Sequence, residues 1–102
     1  MHPLVQEKLP EIAELCRRHH VRRLDLFGSA ATERFDPERS DIDFVVEYLP
    51  EAREHYPDAY FDLKFGLEAL FGRHVDMVMI KAVRNRYFRE ELDETWVPLY
   101  AA

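Results

Sequence analysis

Between Leu4 and His20, apolar side chains recur as Leu4/Val5, Leu9, Ile12 and Leu15/Cys16, with charged residues filling the gaps. This spacing predicts a helix packed on one side. It must start or kink at Pro10, because proline lacks the N–H that an interior turn needs. The pattern then changes. From Val21 to Phe27, Leu24 and Leu26 fall on one side and Arg23 and Asp25 on the other, which predicts a strand ended by Gly28. Ser29 is suited to cap a short helix over Ala30 to Arg34, and Asp36-Pro37-Glu38-Arg39-Ser40 reads as a turn. Alternation resumes at Asp41, with Ile42, Phe44, Val46 and Tyr48 on one face and Asp41, Asp43, Val45 and Glu47 on the other.

A polar stretch from Pro50 to Pro57 predicts a loop. The spacing of Phe61, Phe65, Leu67, Leu70 and Phe71 predicts a helix over Ala59 to Phe71, stopped near Gly72. Its three phenylalanines are assigned to the core rather than to a base-stacking platform. His74 to Ile80 predicts a third strand, with Val75, Met77 and Met79 opposite His74, Asp76, Val78 and Ile80. A last helix is expected over Arg84 to Glu94. The tail from Thr95 is expected to be extended, with Pro98 confining it to a sheet edge or a groove. Its apolar residues Trp96, Val97, Leu99 and Tyr100 must bury themselves on an edge of their own fold or in a partner; docking on the edge is favoured, and part of the surface, with Tyr87 and Phe88, is expected to adjoin a partner interface.

Composition narrows the function classes. A chain of 102 residues supports one core and one domain, with no room for a separate substrate domain. The net charge of −6 argues against a long nucleic acid as the direct substrate, since affinity for one comes chiefly from lysine and arginine on phosphates. A basic protein partner suits it better. The single cysteine, Cys16, excludes an internal disulfide and a cysteine-rich zinc site, and is expected to be a small core residue. Neither a signal-peptide pattern nor a membrane-length apolar run is present, so a cytoplasmic location is expected.

The candidate chemistry lies in the carboxylates. Residues i and i+2 of a strand share a face, roughly 6 to 7 Å apart. Asp41 and Asp43 therefore converge, and in-phase pairing of the strands would bring Asp76 to the same face. Three carboxylates repel one another unless a cation sits among them. Magnesium favours such oxygen ligands together with substrate phosphates, and paired ions can clamp the attacking and leaving oxygens of a nucleotidyl transfer. Gly28 allows close backbone approach, and Ser29 offers N–H and O–H donors to phosphate oxygens. His74 shares the face of Asp76 but is read as a surface residue outside the site.

Together the runs LFGSAATERFDPERSDIDFVV, HVDMVMI and NRYFREELDETWVPLYA resemble the minimal nucleotidyltransferases of the DNA polymerase β superfamily, in particular the antitoxin half of HEPN–MNT toxin–antitoxin pairs. The resemblance spans nearly the whole chain. It implies an α/β (α+β) fold, a small mixed β-sheet with helices packed on one face. It assigns Asp41, Asp43 and Asp76 to the metal, Gly28 and Ser29 to the nucleotide, and Ser29 with the three aspartates to catalysis. It further implies Mg2+-dependent transfer of AMP from ATP to a tyrosine of a partner HEPN ribonuclease toxin, in a hetero-oligomer with that toxin. Thr32 and Glu33 depart from the Arg-Gly of many relatives, removing a cation and adding an anion near the expected phosphates. Two alternatives stay open: neutralisation by docking alone, and transfer to a small acceptor such as an aminoglycoside.

Overall fold

The computed structural model describes residues 3–28, 41–80 and 96–102, the side chains of 53–56 excepted. The expected helix over Ala30 to Arg34, the turn after it, the helix over Arg84 to Glu94, and Tyr87 and Phe88 lie outside these residues.

The first amphipathic stretch forms two helices, α1 (Pro3–Gln6) and α2 (Leu9–Arg18). Pro10 falls in the first turn of α2, where an N–H would have no acceptor, so the chain breaks before Leu9 instead of bending through the proline. Strand β1 (Val21–Phe27) follows, after His20 in the left-handed region at φ 58°. Strand β2 is Ile42–Tyr48. The Pro50 to Pro57 stretch is helical where a loop was expected: a 3-10 segment spans Pro50–His55, and α3 (Tyr56–Phe71) starts directly after it. Each proline stands in the first turn of its segment, so neither interrupts a hydrogen bond. Strands β3 (Val75–Met79) and β4 (Val97–Ala101) complete the described elements.

The four strands form a mixed sheet in the order β3-β2-β1-β4. Strand β1 pairs antiparallel with β2 and β4, whereas β2 and β3 run parallel, joined through α3. Helices α2 and α3 cover one face. Ile12 and Cys16 of α2 and Leu63, Leu67 and Phe71 of α3 pack on Leu24, Leu26, Phe44, Val46 and Met77. Burial pushes the Cys16 thiol up to about 12, so it is an inert core residue. Tyrosines tie the helix to the sheet: Tyr48 Oη donates to Ala59 O at 2.9 Å, and Tyr60 Oη donates to Met77 O at 2.5 Å. Among the described residues no helix is long and apolar enough to cross a membrane.

Phe61 and Phe65 correct the expectation for α3. They are 50% and 59% exposed, while Phe71 is buried. The buried stripe is Leu63, Leu67 and Phe71, spaced by four. Positions two residues away lie about 200° round the helix, on its solvent side. The two exposed rings stack on each other with centroids 5.9 Å apart.

On the opposite sheet face, Val45 is buried against Phe27, Val78, Ile80 and Trp96. The tail docks on its own sheet: Val97 pairs with Leu26 and Pro98 with Asp25 at the edge, and Leu99 and Tyr100 pack against the main core. Asp25 beneath it is 1% exposed, with Arg23 Nε 2.8 Å from its Oδ2 and the Arg23 guanidinium 5.3 Å from the Trp96 ring centre. Burial raises the Asp25 carboxyl above its ordinary value, while Trp96 and Arg23 pull it back.

Denaturant unfolding checks the face of α3. Leu67→Ala should cost about 2–5 kcal/mol, the range for emptying a buried leucine site, whereas Phe65→Ala should cost less than about 1 kcal/mol, as for exposed positions. Equal losses would contradict the helix rotation described above.

Candidate metal and nucleotide centre

The site is built by strand register. Parallel pairing sets Ile42 beside Val75 and Asp43 beside Asp76. One step earlier, Asp41 therefore stands beside His74. Because alternate residues share a face, Asp41, Asp43, His74 and Asp76 form a two-by-two array at the N-terminal ends of β2 and β3. Strand β1 arrives from the other direction, with Phe27 opposite Asp43. Its last residue thus delivers Gly28 to the array.

Gly28 fits that place for two reasons. Its φ of 73° lies in the left-handed region, and a Cβ there would stand 2.5 Å from Asp43 Oδ2. Any side chain would displace the carboxylate. Ser29, expected beside the phosphates, lies outside the described residues.

On the far side, α3 ends in a tight reversal. Gly72, at φ 64°, donates its N–H to Glu68 O at 2.8 Å, and Val75 N–H donates to Glu68 Oε2 at 3.2 Å. Only Arg73 and His74 separate Gly72 from β3. The short connection fixes where His74 and Asp76 emerge.

Donor atoms of Asp41, His74 and Asp76 all lie within 4.8 Å of one another. His74 Nδ1 is 3.3 Å from Asp41 Oδ2 and 3.7 Å from Asp76 Oδ1, with these side chains about half exposed. Asp43 is more enclosed. Its carboxyl is pushed up to about 6, first by burial, then by the charge of Asp76 and a hydrogen bond with it, and then by Asp41, while His74 opposes the rise. The three sequence-predicted aspartates are thus brought together, and their repulsion is concentrated on Asp43. His74, set aside in the sequence reading, joins them. The signal for it was present: it lies two residues before Asp76 on an alternating strand.

The donor set suits a divalent cation. Carboxylate oxygens are hard ligands, those of Asp41 and Asp76 converge with His74 Nδ1 on the open face with Asp43 against Asp76, and an added positive charge would relieve the repulsion that raises Asp43.

Comparison with known proteins agrees with this geometry. Residues 9–96 match the nucleotidyltransferase domain family, a span that contains Gly28 and the whole array. The chain belongs to that family and is a nucleotidyltransferase. Two relatives come from Methanocaldococcus jannaschii: the presumptive protein adenylyltransferases MJ1379, 33% identical, and MJ0128, 31% identical. Each alignment covers 84% of this chain and 92% of the relative. A solved structure of a presumptive minimal nucleotidyltransferase superposes with a TM-score of 0.75 at 29% identity, covering 93% of this chain and 92% of the other. A toxin–antitoxin crystal structure with AMP-PNP shares the fold at a TM-score of 0.67 and 21% identity, covering 92% of this chain and 73% of that one.

The raised Asp43 carboxyl sets a pH dependence. A carboxyl that titrates near 6 when folded, against 3.8 unfolded, contributes stability that is fully present below pH 3.8 and is lost as pH rises through about 6. Melting of the metal-free protein, followed in chelator across this range, should therefore fall with rising pH more steeply for the parent than for Asp43→Asn. At pH 7 the variant should melt no lower than the parent. Parallel profiles would contradict the crowding of Asp43.

Proposed function

We propose that this nucleotidyltransferase uses Mg2+ to transfer AMP from ATP to a tyrosine hydroxyl of a partner toxin of the HEPN class, and so acts as its antitoxin. The observation that carries this reading is the array of Asp41, Asp43 and Asp76, locked by strand register on an open face beside Gly28. The names of the Methanocaldococcus relatives support a protein acceptor, and the toxin–antitoxin neighbours support a toxin as that protein.

Asp41, Asp43 and Asp76 would hold the cation, which when bound supplies positive charge to the phosphates and polarises the reacting phosphorus. Gly28 leaves the space that the Asp43 carboxylate occupies, and the hydroxyl and amide of Ser29 would be donors to the phosphates. The acceptor hydroxyl gives up its proton to a carboxylate of the array, and from there to water, as its oxygen bonds to the α-phosphorus, and the bond from that phosphorus to pyrophosphate breaks. Asp41 and Asp76 are half exposed, so the acceptor side is open. Such a face suits a hydroxyl presented by another protein better than a small molecule that must be enclosed.

A second reading, neutralisation by docking alone, draws on Thr32 and Glu33, which stand in the sequence where many relatives have Arg-Gly and so replace a cation with an anion. Labelled ATP separates the two. Incubation with Mg2+ and a candidate HEPN toxin should label that partner on tyrosine, and the double variant Asp41→Asn, Asp43→Asn should abolish both labelling and protection of cells. No labelling with any divalent ion, together with full protection by the double variant, would establish docking instead.

A further inference from the structure

The array has four corners, and the three carboxylates account for only three of them. The fourth is His74, and its position is as constrained as theirs. Its carbonyl accepts from Ile42 N–H at 3.4 Å, the next residue's N–H is held by Glu68, and Gly72 ends α3 two residues earlier. The imidazole emerges on the open face, and the same nitrogen, Nδ1, lies near both Asp41 Oδ2 and Asp76 Oδ1.

Two arrangements are compatible with those contacts. In one, His74 is only a hydrogen-bonding bridge between carboxylates. In the other, its lone pair points at the place where the carboxylate oxygens converge, as a ligand would. Distance favours the second. An ion with bonds of about 2.1 Å sets neighbouring ligand atoms about 3 Å apart, and the separations of 3.3 and 3.7 Å need only a small closure to reach that. All three donor atoms already lie within 4.8 Å of one another.

We propose that His74 is a direct ligand of the divalent cation in this centre, and that its imidazole nitrogen makes the site prefer Mn2+ to Mg2+. The inference rests on the metal-centre reading above and adds a residue and a selectivity to it. Mg2+ favours oxygen donors and gives up its waters reluctantly, so a nitrogen corner does little for it. Mn2+ shares with Mg2+ a preference for carboxylates and an octahedral shell, but as a first-row transition ion it accepts an imidazole nitrogen more readily than Mg2+ does. A mixed set of three carboxylates and one imidazole matches that ion better. His74 therefore acts on which metal is loaded, separately from the carboxylates that make loading possible.

The test uses nucleotide-free, untagged protein, with Mn2+ and Mg2+ titrated separately by calorimetry and bound Mn2+ followed by pulsed electron paramagnetic resonance. The parent should bind Mn2+ more tightly than Mg2+ and show nitrogen modulation from a directly bonded imidazole. His74→Ala should lose the modulation and weaken Mn2+ by about tenfold, the lower end of losses seen when a group supporting a metal is removed, while Mg2+ affinity changes much less. Asp41→Asn should weaken both ions. Mn2+ bound without nitrogen modulation, or His74→Ala weakening both ions equally, would overturn the role of His74 while leaving the carboxylate centre intact. Failure of the parent to bind either ion, or full retention of both by Asp41→Asn, would overturn the metal centre itself and this inference with it.

Discussion

Like charges held at close range by strand register are the constraint on which the rest of the structure depends. A parallel β2–β3 pair with Asp43 beside Asp76 and Asp41 two residues away opposes folding in water, since facing carboxylates repel and Asp43 is also partly desolvated. Three features hold the arrangement. The core faces of the same strands, Ile42, Phe44 and Val46 against Val75 and Met77, are packed beneath α3. The reversal at Gly72 sets the start of β3. Gly28 gives Asp43 space that any side chain would occupy. Burial on one face thus stabilises a repulsive set on the other, which is the condition for a site that gains by taking up a cation.

Much of this arrangement is legible in the sequence, because strand alternation is a local property. Val21–Phe27 is a strand with the predicted bounds, and the faces of Asp41 to Tyr48 and of His74 to Ile80 follow from period two alone. The convergence of Asp41, Asp43 and Asp76 needed one further condition, in-phase pairing, which the register meets. Features decided by tertiary context were not legible. Phe61 and Phe65 have helical spacing and high hydrophobicity, yet the stripe that meets the sheet is Leu63, Leu67 and Phe71. The polar run after Pro50 lacks apolar periodicity and still forms a 3-10 turn. His74 shared the face of Asp76 in the sequence reading, but only the parallel register sets it beside Asp41 as well.

The distribution of surface character follows from the same architecture. Among the described residues the helices occupy one sheet face and the array lies on the other, so the array and the packing of α2 and α3 do not compete for space. The tail strand pairs along β1 and carries Trp96 over Asp25, so β4 becomes the edge of the sheet, where Pro98 offers no N–H to a further strand. What remains open is the mouth of β2 and β3, with acidic groups about half exposed. Under the proposed function, ATP, metal and acceptor would all reach the centre from this side.

The central claim is that the array is stabilised by a metal–nucleotide complex that relieves its repulsion, and thermal unfolding tests it most directly. A ligand that binds only the folded state raises melting by mass action. ATP and Mg2+ together should raise the melting temperature of the parent by more than the sum of their separate effects, and Asp43→Asn should lose that rise while remaining folded. An equal rise in Asp43→Asn, or none in the parent at saturating ATP and Mg2+, would contradict the account.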